Sequence, residues 1–216
     1  MVHGTKHIFM NLFFCSFFKQ MCIFLVLFFY LSICLSTFVP QIGKKLKPNI
    51  LIMSLKIVVL AKQVPDTRNV GKDAMNADGT INRAALPAIF NPEDLNALEQ
   101  ALRLKDTHPG STVTILTMGP GRAAEIIREG LYRGADNGYL LTDRAFAGAD
   151  TLATSYALAT AIKKIGDYDL IIGGRQAIDG DTAQVGPQIA EKQHLPQVTY
   201  VVDFQVSEDG KTVTVK

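Results

Sequence analysis

The chain has 216 residues, with 22 basic and 20 acidic side chains, three cysteines and a formal net charge of +2. This length suffices for one domain with a sizeable hydrophobic core. Residues 1–52 hold all three cysteines and five lysines but no acidic residue, so residues 53–216 carry a net charge of −3 and no cysteine. This distribution excludes disulfides and thiolate metal sites from residues 53–216, and it excludes the basic surface that nucleic-acid binding requires.

The first predicted element is an apolar run at residues 21–39. Its length is typical of a membrane-spanning helix, and Lys44, Lys45 and Lys47 suit a cytoplasmic flank. We favour a second interpretation, in which residues 1–52 are not part of the working protein, because Met53 stands just before the first strand, where translation would naturally start. On that interpretation residues 53–216 form the working domain of a cytoplasmic protein, and membrane association through residues 21–39 is disfavoured.

Four short apolar runs predict buried parallel strands, at residues 55–61, 112–118, 138–142 and 168–173. Helical periodicity lies between and after them, at residues 92–105, 122–133, 149–164 and 181–193. Asn91 and Pro92 are typical of the N-cap and the first position of a helix. This alternation predicts an α/β fold, a doubly wound and mostly parallel sheet with helices on both faces, in a Rossmann-like three-layer sandwich.

Two segments depart from this alternation. Residues 62–90 have no clear period and contain the turn Asp78-Gly79, which is typical of a functional or disordered loop. Residues 199–206 and 212–216 predict a hairpin around Glu208-Asp209-Gly210. Because the chain stops within the second strand of that hairpin, with no closing helix, we expect a C-terminal truncation.

Open parallel sheets bind ligands where the carboxyl ends of their strands meet. We therefore expect a site made of the residues that follow the strands, namely Lys62 and Asp66 after the first, Gly119 after the second, and residues 174–187 after the fourth. Glycines in the last of these loops, among them Gly180, allow the backbone to approach a ligand closely.

Asp181 and Thr182 are predicted to begin a helix whose free amides face a phosphate or pyrophosphate. The alternative is that Asp181 is an ordinary N-cap, with Gln184 closing a pair similar to a capping box. The two interpretations can coexist, because Asp181 can cap the helix while Thr182 and the next amides hold a ligand.

No catalytic or metal-binding group is predicted. The chain contains no GxxxxGK[ST] motif and no complete Rossmann fingerprint. His108 and His194 are interpreted as surface residues, and Glu99 as part of a solvated helix face. Redox chemistry, if present, must then come from a bound cofactor.

Four segments together carry a family resemblance, LKIVVLAKQVPDT, NPEDLNALEQALRLKD, TILTMGPGRAAEIIREGLYRGAD and GGRQAIDGDTAQVGPQIAE. They strongly resemble the β (small) subunit of electron transfer flavoproteins, and the resemblance covers residues 55–216. It implies an adenine-nucleotide-binding domain that pairs with an α subunit, which holds most of the redox-active FAD.

The resemblance also implies which residues surround the nucleotide. Leu60 and Ala61 match the strand end that meets the adenine, Met118 matches the end of the second strand, and residues 91–94 match a segment beside the nucleotide. Residues 180–191 match the phosphate-contacting loop and helix start, and residues 63–67 match a loop close to the partner's flavin. Together with the residues after the strands, the predicted cofactor-binding set is Leu60, Ala61, Lys62, Asp66, Asn91, Pro92, Glu93, Asp94, Met118, Gly119, Gln176, Asp179, Gly180, Asp181, Thr182, Ala183, Gln184, Val185, Gly186 and Pro187.

The resemblance further implies a cofactor and partners. The segment DGDTAQVGP at residues 179–187 resembles the flavin-bifurcating branch, whose β subunit holds a second FAD that accepts a hydride from NADH. That branch implies a ferredoxin or flavodoxin acceptor and, beyond the α-subunit flavin, an acyl-CoA dehydrogenase-like partner of the kind used in fatty acid oxidation. The alternatives are an AMP-bearing electron shuttle, a stand-alone ATP- or AMP-binding stress-type module on the same fold, and a membrane-tethered electron carrier.

Overall fold

The computed structural model describes residues 53–66, 68 and 86–216 with their side chains, and residues 2–3 and 8–12 as backbone only. All of them belong to one compact unit. The apolar run at 21–39, the turn Asp78-Gly79 and Thr67 lie outside the described residues.

The strands in chain order are β1 (Val2–His3), β2 (Ile8–Leu12), β3 (Lys56–Leu60), β4 (Gln63–Pro65), β5 (Ala88–Phe90), β6 (Thr112–Met118), β7 (Asn137–Leu141), β8 (Leu170–Gly174), β9 (Gln197–Val201), β10 (Phe204–Val206) and β11 (Thr212–Val215). The α-helices are α1 (Pro92–Thr107), α2 (Ala124–Arg133), α3 (Thr151–Ile165) and α4 (Val185–Gln193).

The central sheet has six strands in the order β7-β6-β3-β8-β2-β9, and every neighbouring pair in it is parallel. The four predicted strands are β3, β6, β7 and β8, and their ends agree with the predicted bounds within two residues. The sequence predicts no part of the fold within residues 1–52, whereas residues 8–12 form β2, between β8 and β9.

Helices cover both faces of this sheet, which confirms the predicted α/β class. On one face the core joins Ile57 and Ile115 of the strands to residues of α1 and α2. On the other face it joins Val58 and Leu116 to residues of α3 and α4. Successive strand residues point to opposite faces, and because both faces are buried the strands appear in the sequence as continuous apolar runs.

The two segments that do not follow the alternation of strands and helices, residues 62–90 and 199–216, also form strands. The predicted hairpin is present as β10 and β11, paired antiparallel, with Gly210 at φ 67° in its turn. Its predicted first strand is divided, since residues 197–201 belong to the central sheet as β9 instead. Within residues 62–90, β4 and β5 pair antiparallel.

Two local predictions are wrong. His108 is buried, with 6% of its surface exposed, because its ring folds back on the last turn of α1 and its Nδ1 lies 3.1 Å from the Leu104 carbonyl oxygen. Helix α4 begins at Val185 and not at residue 181, because Asp181 and Ala183 have φ values of 50° and 53°, which no right-handed helix accommodates. His194 is exposed, as predicted.

Candidate functional site

A pocket of about 390 Å³ opens where the carboxyl ends of β3, β6 and β8 meet. This volume lies within the range of about 300–1,000 Å³ that is typical of small-molecule sites. The residues of the predicted set that line it are Leu60, Ala61, Lys62, Asp94, Met118, Gln176, Asp179, Gly180, Asp181, Thr182, Ala183, Gln184, Val185 and Gly186.

The other members of the predicted set do not line the pocket, namely Asp66, Asn91, Pro92, Glu93, Gly119 and Pro187. Asp66 is buried, and its Oδ1 accepts a hydrogen bond from the Arg68 N–H at 2.9 Å. The Gly119 N–H donates to the Leu141 carbonyl oxygen at 3.0 Å, which joins the ends of β6 and β7. Gly119 thus connects two strand ends at the edge of the pocket, whereas the described hydrogen bond of Asp66 stays within its own loop.

One wall of the pocket was missed in the sequence analysis. It comes from the segment that follows β7, where Phe146, Gly148, Asp150 and Thr151 line the cavity. The signal was available, because β7 is a parallel strand and its carboxyl end must reach the same edge as the others.

The first turn of α1 holds the loop that follows β8. The Asn91 Nδ2 donates to the Gln176 carbonyl oxygen at 2.9 Å, and the Asn91 Oδ1 accepts from the Ile178 N–H at 3.2 Å. The Glu93 carboxylate accepts from the Gln176 N–H at 3.0 Å and from the Arg175 Nη2 at 3.3 Å. Asn91 occupies the predicted N-cap position, but its side chain caps nothing in α1, since both of its polar atoms bind this loop.

Asp94, also in the first turn of α1, binds the strand ends at the floor of the pocket. Its carboxylate accepts the Lys62 N–H at 2.9 Å and the Gly174 N–H at 3.1 Å, so that it joins the ends of β3 and β8. The side chain is buried, with 7% of the residue exposed. Burial raises the pKa of Asp94 to about 7, against the lowering effect of its hydrogen bonds to Asn91, Lys62 and Gly174.

Two polar contacts join the segments at the mouth of the pocket. The Lys62 Nζ lies 2.8 Å from the Asp179 Oδ1, which connects the end of β3 to the loop after β8. Within that loop the Gln176 Nε2 donates to the Asp181 Oδ1 at 2.7 Å. Asp181 does not cap α4, because the helix begins at Val185 and the Asp181 carboxylate binds Gln176 instead. The predicted N-cap and its capping-box pair with Gln184 are therefore both absent.

The N-termini of α3 and α4 both face the pocket, but they differ in capping. The Asp150 Oδ1 accepts the Ala153 N–H of α3 at 2.7 Å, so a carboxylate already occupies that helix end. Helix α4 has Gln184 at its N-cap position and no side-chain cap, because the Gln184 Oε1 instead accepts a hydrogen bond from the Thr151 hydroxyl at 2.9 Å. The first amides of α4, at Val185 and Gly186, thus border the pocket without a side-chain cap, and backbone donors at such a helix end can bind an anion.

The part of the chain that is described contains neither a candidate metal cluster nor a candidate membrane-spanning helix. Within it, no three histidine, cysteine or acidic residues are grouped closely enough to bind a metal ion. None of the helices there combines the length and the apolar character needed to cross a membrane.

A pocket at the carboxyl edge of a doubly wound parallel sheet, with a helix N-terminus facing it, is typical of α/β domains that bind nucleotides. Residues 78–216 match the family model of the electron transfer flavoprotein domain. The chain belongs to the electron transfer flavoprotein family, as its resemblance indicated.

Individual relatives agree with this assignment. The chain is 55% identical over 159 residues to the caffeyl-CoA reductase-Etf complex subunit CarD of Acetobacterium woodii, and this covers 74% of the chain and 60% of the relative. It is 53% identical over 165 residues to the electron transfer flavoprotein subunit beta of Megasphaera elsdenii, with coverage of 74% and 60%. It is 55% identical over 157 residues to the acryloyl-CoA reductase electron transfer subunit gamma of Anaerotignum propionicum, with coverage of 72% and 58%. The chain spans about 60% of the length of these curated relatives.

Proposed function

We propose that this chain is the β-type subunit of a heterodimeric electron transfer flavoprotein, and that it holds an adenine nucleotide cofactor in the pocket at the carboxyl edge of its sheet. The cofactor we propose is FAD, and electrons pass from it to the FAD of an α-type subunit. The family assignment and the similarity to named electron transfer flavoprotein β subunits support this proposal.

The residues of the pocket fit such a cofactor. Leu60, Leu116 and Met118 offer an apolar surface for a flat base, and the amides of Val185 and Gly186 offer donors for a phosphate group. Gly180 has no atom within 4 Å of the position that a Cβ would occupy, so the backbone there is open to a ligand. A bound flavin would supply the redox chemistry, for which the described side chains offer no substitute.

The observation that carries the proposal is the uncapped N-terminus of α4 beside the pocket. A helix end without a side-chain cap leaves backbone donors that need a partner. The partly positive helix end favours an anionic one. Pro187 at the third position of α4 has no backbone N–H, so one donor fewer lacks a partner there. Phosphate groups satisfy the remaining donors and the charge together.

We further propose the bifurcating type, in which NADH donates a hydride and electrons leave toward a ferredoxin or flavodoxin and toward an acyl-CoA dehydrogenase-like partner. The support is the segment DGDTAQVGP at residues 179–187 and the names of two relatives, one a subunit of a caffeyl-CoA reductase-Etf complex and the other an electron transfer subunit of acryloyl-CoA reductase. In that case the heterodimer would oxidise NADH as an enzyme. The rival is an AMP-bearing shuttle without this activity.

Counting the nucleotides of the purified heterodimer tests both levels of the proposal. The chain would be co-expressed with an α-type subunit, the complex denatured, and the released nucleotides separated and quantified. Two FAD per heterodimer are expected. One FAD with one AMP would overturn the bifurcating type and keep the electron carrier. A colourless homodimer that releases ATP would overturn the flavoprotein proposal and favour a stand-alone nucleotide-binding module.

A further inference from the structure

The pocket at the carboxyl edge of the sheet carries more negative than positive charge. Its charged lining residues are four aspartates and two cations, namely Asp94, Asp150, Asp179, Asp181, Lys62 and Arg175. A phosphate-bearing ligand adds further negative charge to a space of about 390 Å³. Like charges confined this closely repel one another, so one of the acidic groups has to change for such a ligand to bind well.

Both cations of the pocket already form ion pairs with carboxylates of the protein. The Lys62 Nζ lies 2.8 Å from the Asp179 Oδ1, and the Arg175 Nη2 lies 3.3 Å from the Glu93 Oε1. Within the described residues, no three histidine, cysteine or acidic side chains are grouped closely enough to bind a metal ion. The described side chains therefore offer no ready site for a cation that would join the carboxylates to a phosphate.

The other three aspartates differ in their contact with water. Asp150 and Asp181 are exposed, so solvent screens their charge. Asp94 is buried, and its carboxylate accepts the backbone N–H groups of Lys62 and Gly174. Among the ion pairs of the described residues none includes Asp94, which leaves it as the buried acid of the pocket without a cation beside it.

A proton moves on and off this carboxyl near neutral pH. Burial raises the pKa of Asp94 to about 7, and the charge of the neighbouring Glu93 acts in the same direction. A phosphate in the same cavity would favour the neutral form of Asp94 further, as any nearby negative charge does. Because linkage is reciprocal, a ligand that makes the proton bind more tightly is itself bound more tightly when the proton is present.

We propose that Asp94 takes up a proton from solvent when a phosphate-bearing nucleotide occupies the pocket, so that ligand and proton bind together. The proton removes the one buried negative charge that has no cation beside it, while the two backbone N–H groups keep the carboxyl in place. This linkage deepens the proposed function and rests on it, because it takes the ligand to be a nucleotide with its phosphates in this pocket.

The sign of the pH dependence follows from this linkage. The bound state holds the proton more tightly than the free state, so affinity is highest at low pH, where Asp94 is protonated in both states. As the pH rises through about 7, the free protein loses its proton first, and binding must then draw one from solvent. Affinity for a phosphate-bearing nucleotide should therefore fall in this range, by up to about tenfold per pH unit.

Titration calorimetry of the full chain with FAD at pH 7 measures the proton directly. The titration is repeated in buffers that differ in their enthalpy of ionisation, and the slope of the observed enthalpy against that quantity is the number of protons taken up. We expect about 0.3–0.5 proton per FAD, since Asp94 is about half protonated beforehand. The pyrophosphate of FAD stays ionised throughout and supplies no proton. Adenosine has no phosphate and should bind without uptake.

Asp94→Asn keeps a side chain of the same size without a charge. Proton uptake with FAD should disappear, and the affinity of the variant relative to wild type should rise at least threefold between pH 6 and pH 8. A purely structural role of Asp94 would lower affinity by the same factor at every pH. Asp106→Asn makes the same chemical change at an exposed position near the other end of α1, and it should keep the wild-type uptake.

Several outcomes would overturn the inference. FAD binding to wild type without proton uptake would leave the site in place and remove the linkage. Equal uptake with adenosine would show that phosphate is not its cause, and this comparison needs no variant. Wild-type uptake in Asp94→Asn would place the proton on another group. If neither FAD nor adenosine bound, the proposed function would be overturned and the linkage with it.

Discussion

The Asp94 carboxylate accepts the backbone N–H of Gly174 at 3.1 Å, and this hydrogen bond requires a glycine at its donor. A Cβ at position 174 would lie 2.5 Å from the Asp94 Oδ1, and 2.7 and 2.8 Å from backbone atoms of Glu93 and Asp94. The first turn of α1 therefore packs directly on the end of β8. The two elements define the floor of the pocket only because this residue has no side chain.

Gly174→Ala should destabilise the protein by about 2 kcal/mol or more, because the added methyl group meets backbone that cannot shift without moving α1. Urea denaturation of the purified chain measures the change in the free energy of unfolding. Gly180→Ala is the matched control, since no atom lies within 4 Å of its added methyl group, and it should change stability by less than about 0.5 kcal/mol. Equal effects of the two substitutions would contradict the close packing.

Asp94→Asn should remove a pH dependence of stability. The pKa of Asp94 is raised from 3.8 to about 7 in the folded protein, so the folded state binds a proton more tightly than the unfolded state does. The stabilisation that this proton provides is fully present below pH 3.8 and is lost as the pH rises through about 7. Between these values the wild-type free energy of unfolding should fall by up to about 1.4 kcal/mol per pH unit from this group.

The measurement is urea denaturation of wild type and Asp94→Asn across that pH range. The substituted protein should show a flatter profile, and its stability relative to wild type should improve as the pH rises. It should be less stable than wild type at low pH, because the amide can accept only one of the two backbone N–H groups that the carboxyl binds. Parallel profiles would mean that Asp94 does not titrate in this range.

Asn91→Ala should lower nucleotide retention although Asn91 does not line the pocket. The substitution removes two hydrogen bonds that hold the loop at Gln176 and Ile178, which should cost about 1–3 kcal/mol in stability and loosen the pocket wall. Nucleotide released from equal amounts of purified heterodimer is the measurement. Glu99→Ala, on an exposed position of the same helix, is the control and should retain the wild-type amount. Full retention in Asn91→Ala would mean that the loop keeps its form without this contact.

Gln184→Asp should lower nucleotide affinity while it leaves α4 folded. An aspartate at this position can accept the Gly186 N–H but nothing from Pro187, which has no N–H, and it removes the hydrogen bond between Thr151 and Gln184. The free energy of unfolding should therefore change by less than about 1 kcal/mol. The same carboxylate would compete with a phosphate and repel it, so nucleotide affinity should fall at least tenfold, by about 1.4 kcal/mol or more. Gln184→Asn caps the helix without the charge and should weaken binding less. Unchanged affinity in Gln184→Asp, measured by titration calorimetry, would place the phosphate elsewhere.

Much of the fold followed from local sequence patterns. The apolar runs that became β3, β6 and β8 have lengths and compositions that specify buried strands, because parallel strands lose both faces to helices. Because the carboxyl ends of parallel strands meet at one edge, the sequence alone predicts that Lys62, Met118 and the loop after β8 lie together, and they line one pocket.

Other features depended on contacts that no local pattern encodes. Asn91 has the sequence signature of an N-cap, but its side chain binds residues more than 80 positions further along the chain. The start of α4 was misplaced because Asp181 and Ala183 adopt positive φ values, and an aspartate followed by a threonine is equally typical of a helix start. The burial of His108 likewise depended on how its ring folds back on the end of α1.

The sequence by itself therefore determined four strands of the central sheet with the helices between them, the edge at which the carboxyl ends of these strands meet, and the family. Each of these depends on periodicity and composition, which are properties of neighbouring residues. Only the tertiary structure decided that Asn91, Glu93 and Asp94 bind the residues that follow and end β8, and that α4 and not α3 offers free amides. Those features arise from hydrogen bonds and packing between distant segments, whose partners are chosen by the fold as a whole.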